Sequence, residues 1–253
     1  MSNQMAVGDV AFSILITHHL EFTHHFFLVT CHAPKSRVTR MKDEDLIQLA
    51  TDHRVIAVVR ARSADVALRA SEAAIVAGIK LIEVALSTPG SFRVIADLRR
   101  QYGDRAAIGA GYVTSQDQID RAIKSSAQFI SMPHTNTQLV ETCRKQRVPP
   151  IIGALTPTEI AAAWALSVPL VTLFPAAPLG GPEYVGAITS RMPDARLVIA
   201  GSVGPENIVD YFAAGAFAIA VGSRLFTSGD LQYENYTAIA ERARGIIRLA
   251  GVA

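Results

Sequence analysis

A single glutamate, Glu83, interrupts the apolar run Leu81-Ile-Glu-Val-Ala-Leu86. A carboxylate among such residues is costly to bury unless it meets a cation or faces a polar cavity. Two readings stay open: an ion pair with Arg60 or Arg62, or a general acid/base whose pKa the surroundings raise. Further along, Gly201-Ser-Val-Gly-Pro205 and Val221-Gly-Ser-Arg224 each set a glycine before a serine. Small residues let backbone N–H groups approach an anion, and a following helix start adds a favourable dipole. Gly and Ser are also ordinary turn residues, so either motif alone says little, and Arg224 either joins the anion or pairs outward. The combined chemistry is a proton-moving carboxylate beside a seat for a small anion.

The elements that must position these residues follow a repeating pattern. Val168-Pro-Leu-Val-Thr-Leu-Phe-Pro175 is a short apolar stretch running into a proline-rich loop, and it reads as the sixth of eight strands. The others are 55–59, 79–84, 106–111, 127–132, 150–154, 196–200 and 216–221. Helical stretches at 64–77, 91–101, 116–124, 137–146, 157–166, 182–190, 205–214 and 233–249 separate or follow them. Eight such units of about 25 residues predict parallel strands covered by helices, closed into a (β/α)8 barrel. A doubly wound open sheet is the competitor, but Val59-Arg-Ala-Arg-Ser63 stands where its Gly-x-Gly-x-x-Gly would be. In such a barrel chemistry sits at the C-terminal ends of the strands. That selects Arg60, Glu83 with Ser87, Tyr112, Pro133 with His134, Thr156, Thr172 with Phe174, Gly201 with Ser202, and Gly222 with Ser223.

At 253 residues, half of them hydrophobic, the chain is long enough for one large domain. A formal charge of +2 argues for neither nucleic acid nor a membrane surface as partner. No apolar run approaches the ~18 residues of a membrane helix, and residues 1–10 lack the basic start of a signal peptide. Cys31 and Cys143 form no spaced motif, which suits a reducing cytoplasm.

Residues 1–40 differ from the rest and hold five of the seven histidines. His18-His19 and His24-His25 lack the acidic or cysteine partners of a metal site, so the expectation is a loosely attached extension. Met41 opens a short helix with an acidic start, where the 41–253 domain begins and where translation itself could start.

The chain from Met41 onward resembles the 2-keto-3-deoxy-6-phosphogluconate / 4-hydroxy-2-oxoglutarate aldolase family. The resemblance rests on Val55-Ile-Ala-Val-Val-Arg60, Gly78-Ile-Lys-Leu-Ile-Glu-Val84, Ile108-Gly-Ala-Gly-Tyr-Val-Thr114, Phe129-Ile-Ser-Met-Pro-His134, Gly153-Ala-Leu-Thr-Pro-Thr-Glu159, Leu173-Phe-Pro175 and Val221-Gly-Ser223. It implies a homotrimer of (β/α)8 barrels that makes or breaks a C–C bond next to a pyruvate unit, with no cofactor. It also implies a phosphorylated keto-acid substrate. In the family a strand-six lysine forms an imine with the keto group and a strand-two glutamate shuttles protons. The resemblance gives the proton role to Glu83, the pocket lining to Arg60, Ser87, Tyr112, Pro133 and Phe174, and the phosphate to Gly201, Ser202, Gly222 and Ser223.

The chain departs from the family at the imine. Thr172 stands where the lysine belongs, Tyr112 replaces a threonine, and Ser87 replaces an arginine of some members. Its lysines are Lys35, Lys42, Lys80, Lys124 and Lys145. The first two precede the barrel, Lys80 opens strand two at the wrong end, and the last two close covering helices. Three functions are therefore weighed: a lyase on a 2-keto acid, an imine-independent decarboxylase or enolising enzyme, and an inactive phospho-sugar-acid binding protein. The second would draw on a divalent metal held by Glu83 and His134.

Overall fold

The computed structural model of the chain describes residues 40–252. The paired histidines, Cys31 and the expected extension at 1–40 lie outside the described residues, except for residue 40. Helix α1 (Asp43–His53) comes first, and its acidic first turn, Asp43 to Asp45, suits the positive end of a helix. Then β1 (Val55–Val59), α2 (Ala64–Val76), β2 (Leu81–Ala85), α3 (Ser91–Tyr102), β3 (Ala107–Gly111) and α4 (Gln116–Lys124) alternate. β4 (Ile130–Met132), α5 (Thr137–Lys145), β5 (Pro150–Ala154), α6 (Pro157–Ala165), β6 (Leu170–Leu173) and α7 (Pro182–Thr189) continue the series. It ends with β7 (Leu197–Ala200), α8 (Ile208–Ala213), β8 (Ala218–Val221), α9 (Ser228–Gln232) and α10 (Tyr236–Leu249). The strands are parallel and close in chain order, β8 pairing with β1, so the (β/α)8 barrel expected from the sequence is the fold.

Local chemistry sets the helix starts. Ser63, Ser115, Asn136 and Thr156 each accept a hydrogen bond from a backbone N–H in the first turn that follows. Such caps satisfy donors that have no partner inside the helix and contribute about 1 kcal/mol each. The outward residues of the strands, such as Ala57, Ile82, Ile108 and Ile152, are buried with the helices in the larger core.

The barrel interior is a second, smaller core built in levels. The strands are tilted, so the residue at equal height on the next strand lies one beyond the register partner. Glu83 pairs with Gly109, Ala110 with Ile130, Ser131 with Ile151 and Ile152 with Val171. Thr172 then pairs with Val198, Ile199 with Ile219, Ala220 with Ile56 and Ala57 with Ile82, which returns the path to Glu83. One level therefore holds Glu83, Ser131, Thr172 and Ala220, all from even-numbered strands. This is the alternate-strand layering of such barrels. The level nearer the strand C-termini holds Val58, Gly111, Gly153 and Ala200, by the same stepping.

Below the polar level the interior is apolar. Ile56, Ile151 and Val198 fill one level beside Gly109, and Leu81, Phe129, Leu170 and Ala218 fill the next. A side chain on Gly109 would overlap the Phe129 ring, so this glycine makes room for the largest residue of the barrel floor. Leu46 and Ala50 of α1 pack into the same core and close that end. Truncating Phe129 to alanine would cost about 3–5 kcal/mol.

Most strands are a residue or two shorter or shifted at their ends, and three elements differ in a way that has a local cause or consequence. The strand expected over 127–132 is ordered as β4 only from Ile130. The helix expected from Pro205 begins at Ile208, because the Asn207 side chain accepts from the Gly204 N–H (3.0 Å) and donates to the Ser202 carbonyl (3.0 Å), which holds 204–207 as a turn. The last long helix, expected from residue 233, begins at Tyr236 as α10, because Glu234 takes a left-handed φ of 54° and Asn235 caps the helix, and the short α9 before it was not expected.

Candidate active site

Above the polar level a cavity of about 560 Å³ opens at the C-terminal ends of the strands. Gly111, Gly153 and Ala200 occupy most of the uppermost interior level, so little side-chain volume separates the polar level from the cavity. Arg60, Glu83, Tyr112, Pro133, Thr172 and Phe174 all line it, as do Gly201, Ser202, Gly222 and Ser223. Residues from seven of the eight strands or their following loops thus converge as the sequence suggested. Ser87 does not line this cavity. It borders an adjoining, shallower one that shares Arg60, Ser228 and Leu231 with the first.

Glu83 is 7 % exposed and no cation pairs with it among the described residues. The ion-pair reading is not what forms: Arg62 pairs instead with Glu234 at 3.6 Å and donates to the Gln232 carbonyl. Burial pushes the Glu83 carboxyl up to about 7, and a hydrogen bond from the Ser131 hydroxyl works in the opposite direction. A Cβ on Gly111 would overlap Glu83 Oε1, so the carboxylate lies directly over the bare Cα of that glycine. Ser131 was not singled out in the sequence. The signal available was its place two residues after the inward Phe129, which puts both on one face of a strand.

Tyr112 follows Gly111 with φ of 62°, a left-handed conformation that is rare for a bulky residue. Its side chain lines the cavity and remains 42 % exposed. Partial burial and the Glu83 charge raise the phenol pKa, while Arg60 opposes them, so the ring stands within electrostatic reach of both.

Thr172 faces the cavity from β6, between Gly153 and Val198. No described lysine lines the cavity. Lys80 precedes β2, and its charge acts on His53 at the end of α1, on the opposite side of the barrel. Lys124 and Lys145 are the last residues of α4 and α5.

At the far wall, Gly201 (φ 95°) and Ser202 (φ 59°) turn the chain away from β7. A side chain on Gly201 would press against Pro175, so only glycine lets the two loops approach this closely. The backbone N–H groups of Ser202 and Ser223 have no acceptor among the described residues, which leaves them free for an anion. Arg224 lines the same wall and pairs with Glu206 at 2.8 Å.

Besides Ser87, two sequence candidates fall outside the site. Thr156 caps α6 in a reciprocal pair with Glu159, whose carboxylate accepts from the Thr156 and Leu155 N–H groups at 2.9 and 2.8 Å. His134 is exposed and does not line the cavity. Among the described residues no three His, Cys, Asp or Glu side chains are grouped as metal ligands.

The chain as a whole is similar to proteins named as aldolases. The family model "Aldolase: KDPG and KHG aldolase" matches residues 46–242. The 2-dehydro-3-deoxy-6-phosphogalactonate aldolase of Escherichia coli K12 is 29 % identical over 184 residues, covering 72 % of this chain and 89 % of its own. The 2-dehydro-3-deoxy-phosphogluconate aldolase of Treponema pallidum is 28 % identical over 199 residues, covering 79 % and 94 %. A solved structure titled "Native KDPGal structure" superposes with a TM-score of 0.71 at 27 % identity, over 77 % of this chain and 93 % of that one. The family model spans more than three quarters of the sequence and nearly the whole barrel, so the chain belongs to the KDPG and KHG aldolase family.

Proposed function

We propose that the cavity binds a small phosphorylated 2-keto acid and that Glu83 moves a proton at the carbon next to the keto group, with no covalent imine. The observation that carries this is the polar level Glu83–Ser131–Thr172, which opens into the cavity opposite the Ser202 and Ser223 loops. A carboxyl poised near neutral pH can accept and return a proton, the property a general acid/base needs. The substrate class comes from the relatives named for 2-dehydro-3-deoxy-phospho sugar acids, with 4-hydroxy-2-oxoglutarate as the unphosphorylated counterpart.

In cleavage, Glu83 takes the proton of the C4 hydroxyl, the C3–C4 bond breaks, and its electron pair forms an enolate of pyruvate with the charge on the keto oxygen. Glu83 then returns the proton to C3 and pyruvate leaves. The Thr172 hydroxyl can donate to that oxygen but supplies no cationic nitrogen, so the electron sink is weaker than an imine. The same residues perform enolisation alone on pyruvate. The family resemblance further supports a homotrimer working in the cytoplasm.

Pyruvate release from 2-keto-3-deoxy-6-phosphogluconate tests this reading, run beside borohydride treatment with pyruvate. Release without a reduced adduct on the protein is the expected pair of results. An adduct on the wild-type protein would overturn the imine-free mechanism. Tyr112, whose strained backbone sets its ring against the cavity, favours a second reading in which the protein binds the phosphorylated acid without turning it over. Calorimetric binding with no pyruvate release would select that reading.

A further inference from the structure

We propose that Ser131 is a positioning residue for Glu83: its hydroxyl, at the neighbouring corner of the same barrel level, holds the carboxylate over Gly111 and toward the cavity. Three observations place it there. Glu83 and Ser131 come from β2 and β4, and the strand between them presents only glycines inward beside them, Gly109 in register with Glu83 and Gly111 one level higher. The space a Cβ of Gly111 would fill is taken by the Glu83 carboxylate, so the side chain leans across β3 in the direction of β4. At β4 the residue it leans toward is Ser131, which is 8 % exposed, lines the same cavity and has its hydroxyl close enough to act on the carboxylate.

The remaining surroundings give the carboxylate no substitute. Its inward neighbour on β1 is Val58, and no Lys, Arg or His pairs with it among the described residues. Tyr112 and Arg60 also line the cavity, Tyr112 within electrostatic reach of Glu83, and neither forms a hydrogen bond with it. Without the serine the carboxylate keeps its room over Gly111 but loses the donor that selects one orientation. Thr172, on the other side of Ser131 in the same level, is left free to meet the substrate's keto oxygen.

The proposal rests on Glu83 acting at this cavity, so its test reads Glu83 itself and needs no turnover. Full-length protein labelled with ¹³C at the glutamate side-chain carboxyl is titrated by NMR, with the Glu83 signal assigned by its absence in Glu83→Gln. Wild type is compared with Ser131→Ala, Ser131→Thr and Thr172→Val, each checked for native circular dichroism. Ser131→Ala removes one oxygen and should raise the Glu83 midpoint by about one pH unit, the scale of one hydrogen bond to a charged group. Ser131→Thr, which keeps the hydroxyl, and Thr172→Val should stay close to wild type. An unchanged midpoint in Ser131→Ala, or an equal rise in all three variants, would overturn the proposal. Either result leaves the keto-acid reading standing, and a failed cleavage assay leaves the titration interpretable.

Discussion

Glu83 and Thr172 stand at opposite corners of one four-residue level of the barrel, four strands apart in a closed ring of eight. A substrate held between them would meet the proton-moving carboxyl on one side and the hydroxyl on the other. The family's covalent chemistry needs an amine at the second corner. Replacing Thr172 by lysine should therefore restore it without other changes. Thr172→Lys treated with borohydride and pyruvate is expected to carry a reduced adduct by mass spectrometry, and to cleave substrate about tenfold faster or more than wild type. No adduct would mean that the rest of the cavity no longer presents the keto group to β6.

Stability should depend on pH through Glu83. Its carboxyl is pushed up to about 7 from the ordinary glutamate value of 4.5, so between those values the folded protein binds more protons than the unfolded chain. Stability from this group is then greatest below about pH 4.5 and falls as pH rises to about 7. Glu83→Gln removes the buried charge and should stabilise the protein at pH 8 by up to about 3 kcal/mol, with no such gain near pH 4.5. Urea unfolding at the two pH values measures the difference. An equal effect at both would contradict the shift.

Gly111→Ala sets a methyl group into the space of the Glu83 carboxylate. The variant should lose about 1–3 kcal/mol of stability from overpacking and lose proton transfer as well, because the carboxylate must swing away. Thermal unfolding and cleavage rates report the two effects, and a variant with wild-type values for both would show that the carboxylate has other room.

The anion seat is separable from the proton chemistry. Ser223→Asp places a negative charge beside the free N–H groups of the loops after β7 and β8. Affinity for a phosphorylated keto acid should fall tenfold or more, about 1.4 kcal/mol, while affinity for pyruvate should change far less. Calorimetry with both ligands checks this, and equal losses would place the phosphate elsewhere.

Much of this was legible in the chain. The repeat of short apolar runs and amphipathic stretches fixes eight parallel strands, and an isolated carboxylate inside one run marks Glu83 as facing something polar. The strand-end rule also brings Arg60, Tyr112, Pro133, Thr172 and Phe174 to one cavity. What a period of two cannot supply is height. Glu83 and Ser131 are 48 positions apart in sequence and two strands apart in space, and only the tilt of the strands puts them on one level. Ser87 shows the same gap, since its strand is right but it lies beyond the end, facing the outer cavity. Thr156 was indistinguishable from a site residue because a helix cap and a strand-end ligand use the same hydroxyl. The start of α10 at Tyr236 rather than residue 233 depends on one left-handed residue, Glu234, which helix periodicity does not register.

Proton exchange at the methyl group of pyruvate in D₂O, followed by ¹H NMR, tests the central claim most directly, because it isolates the step assigned to Glu83. Wild-type protein should exchange the methyl protons faster than buffer, with a rate that rises as pH passes about 7 and vanishes in Glu83→Gln. Exchange in wild type no faster than in buffer, or equal exchange in Glu83→Gln, would contradict the account.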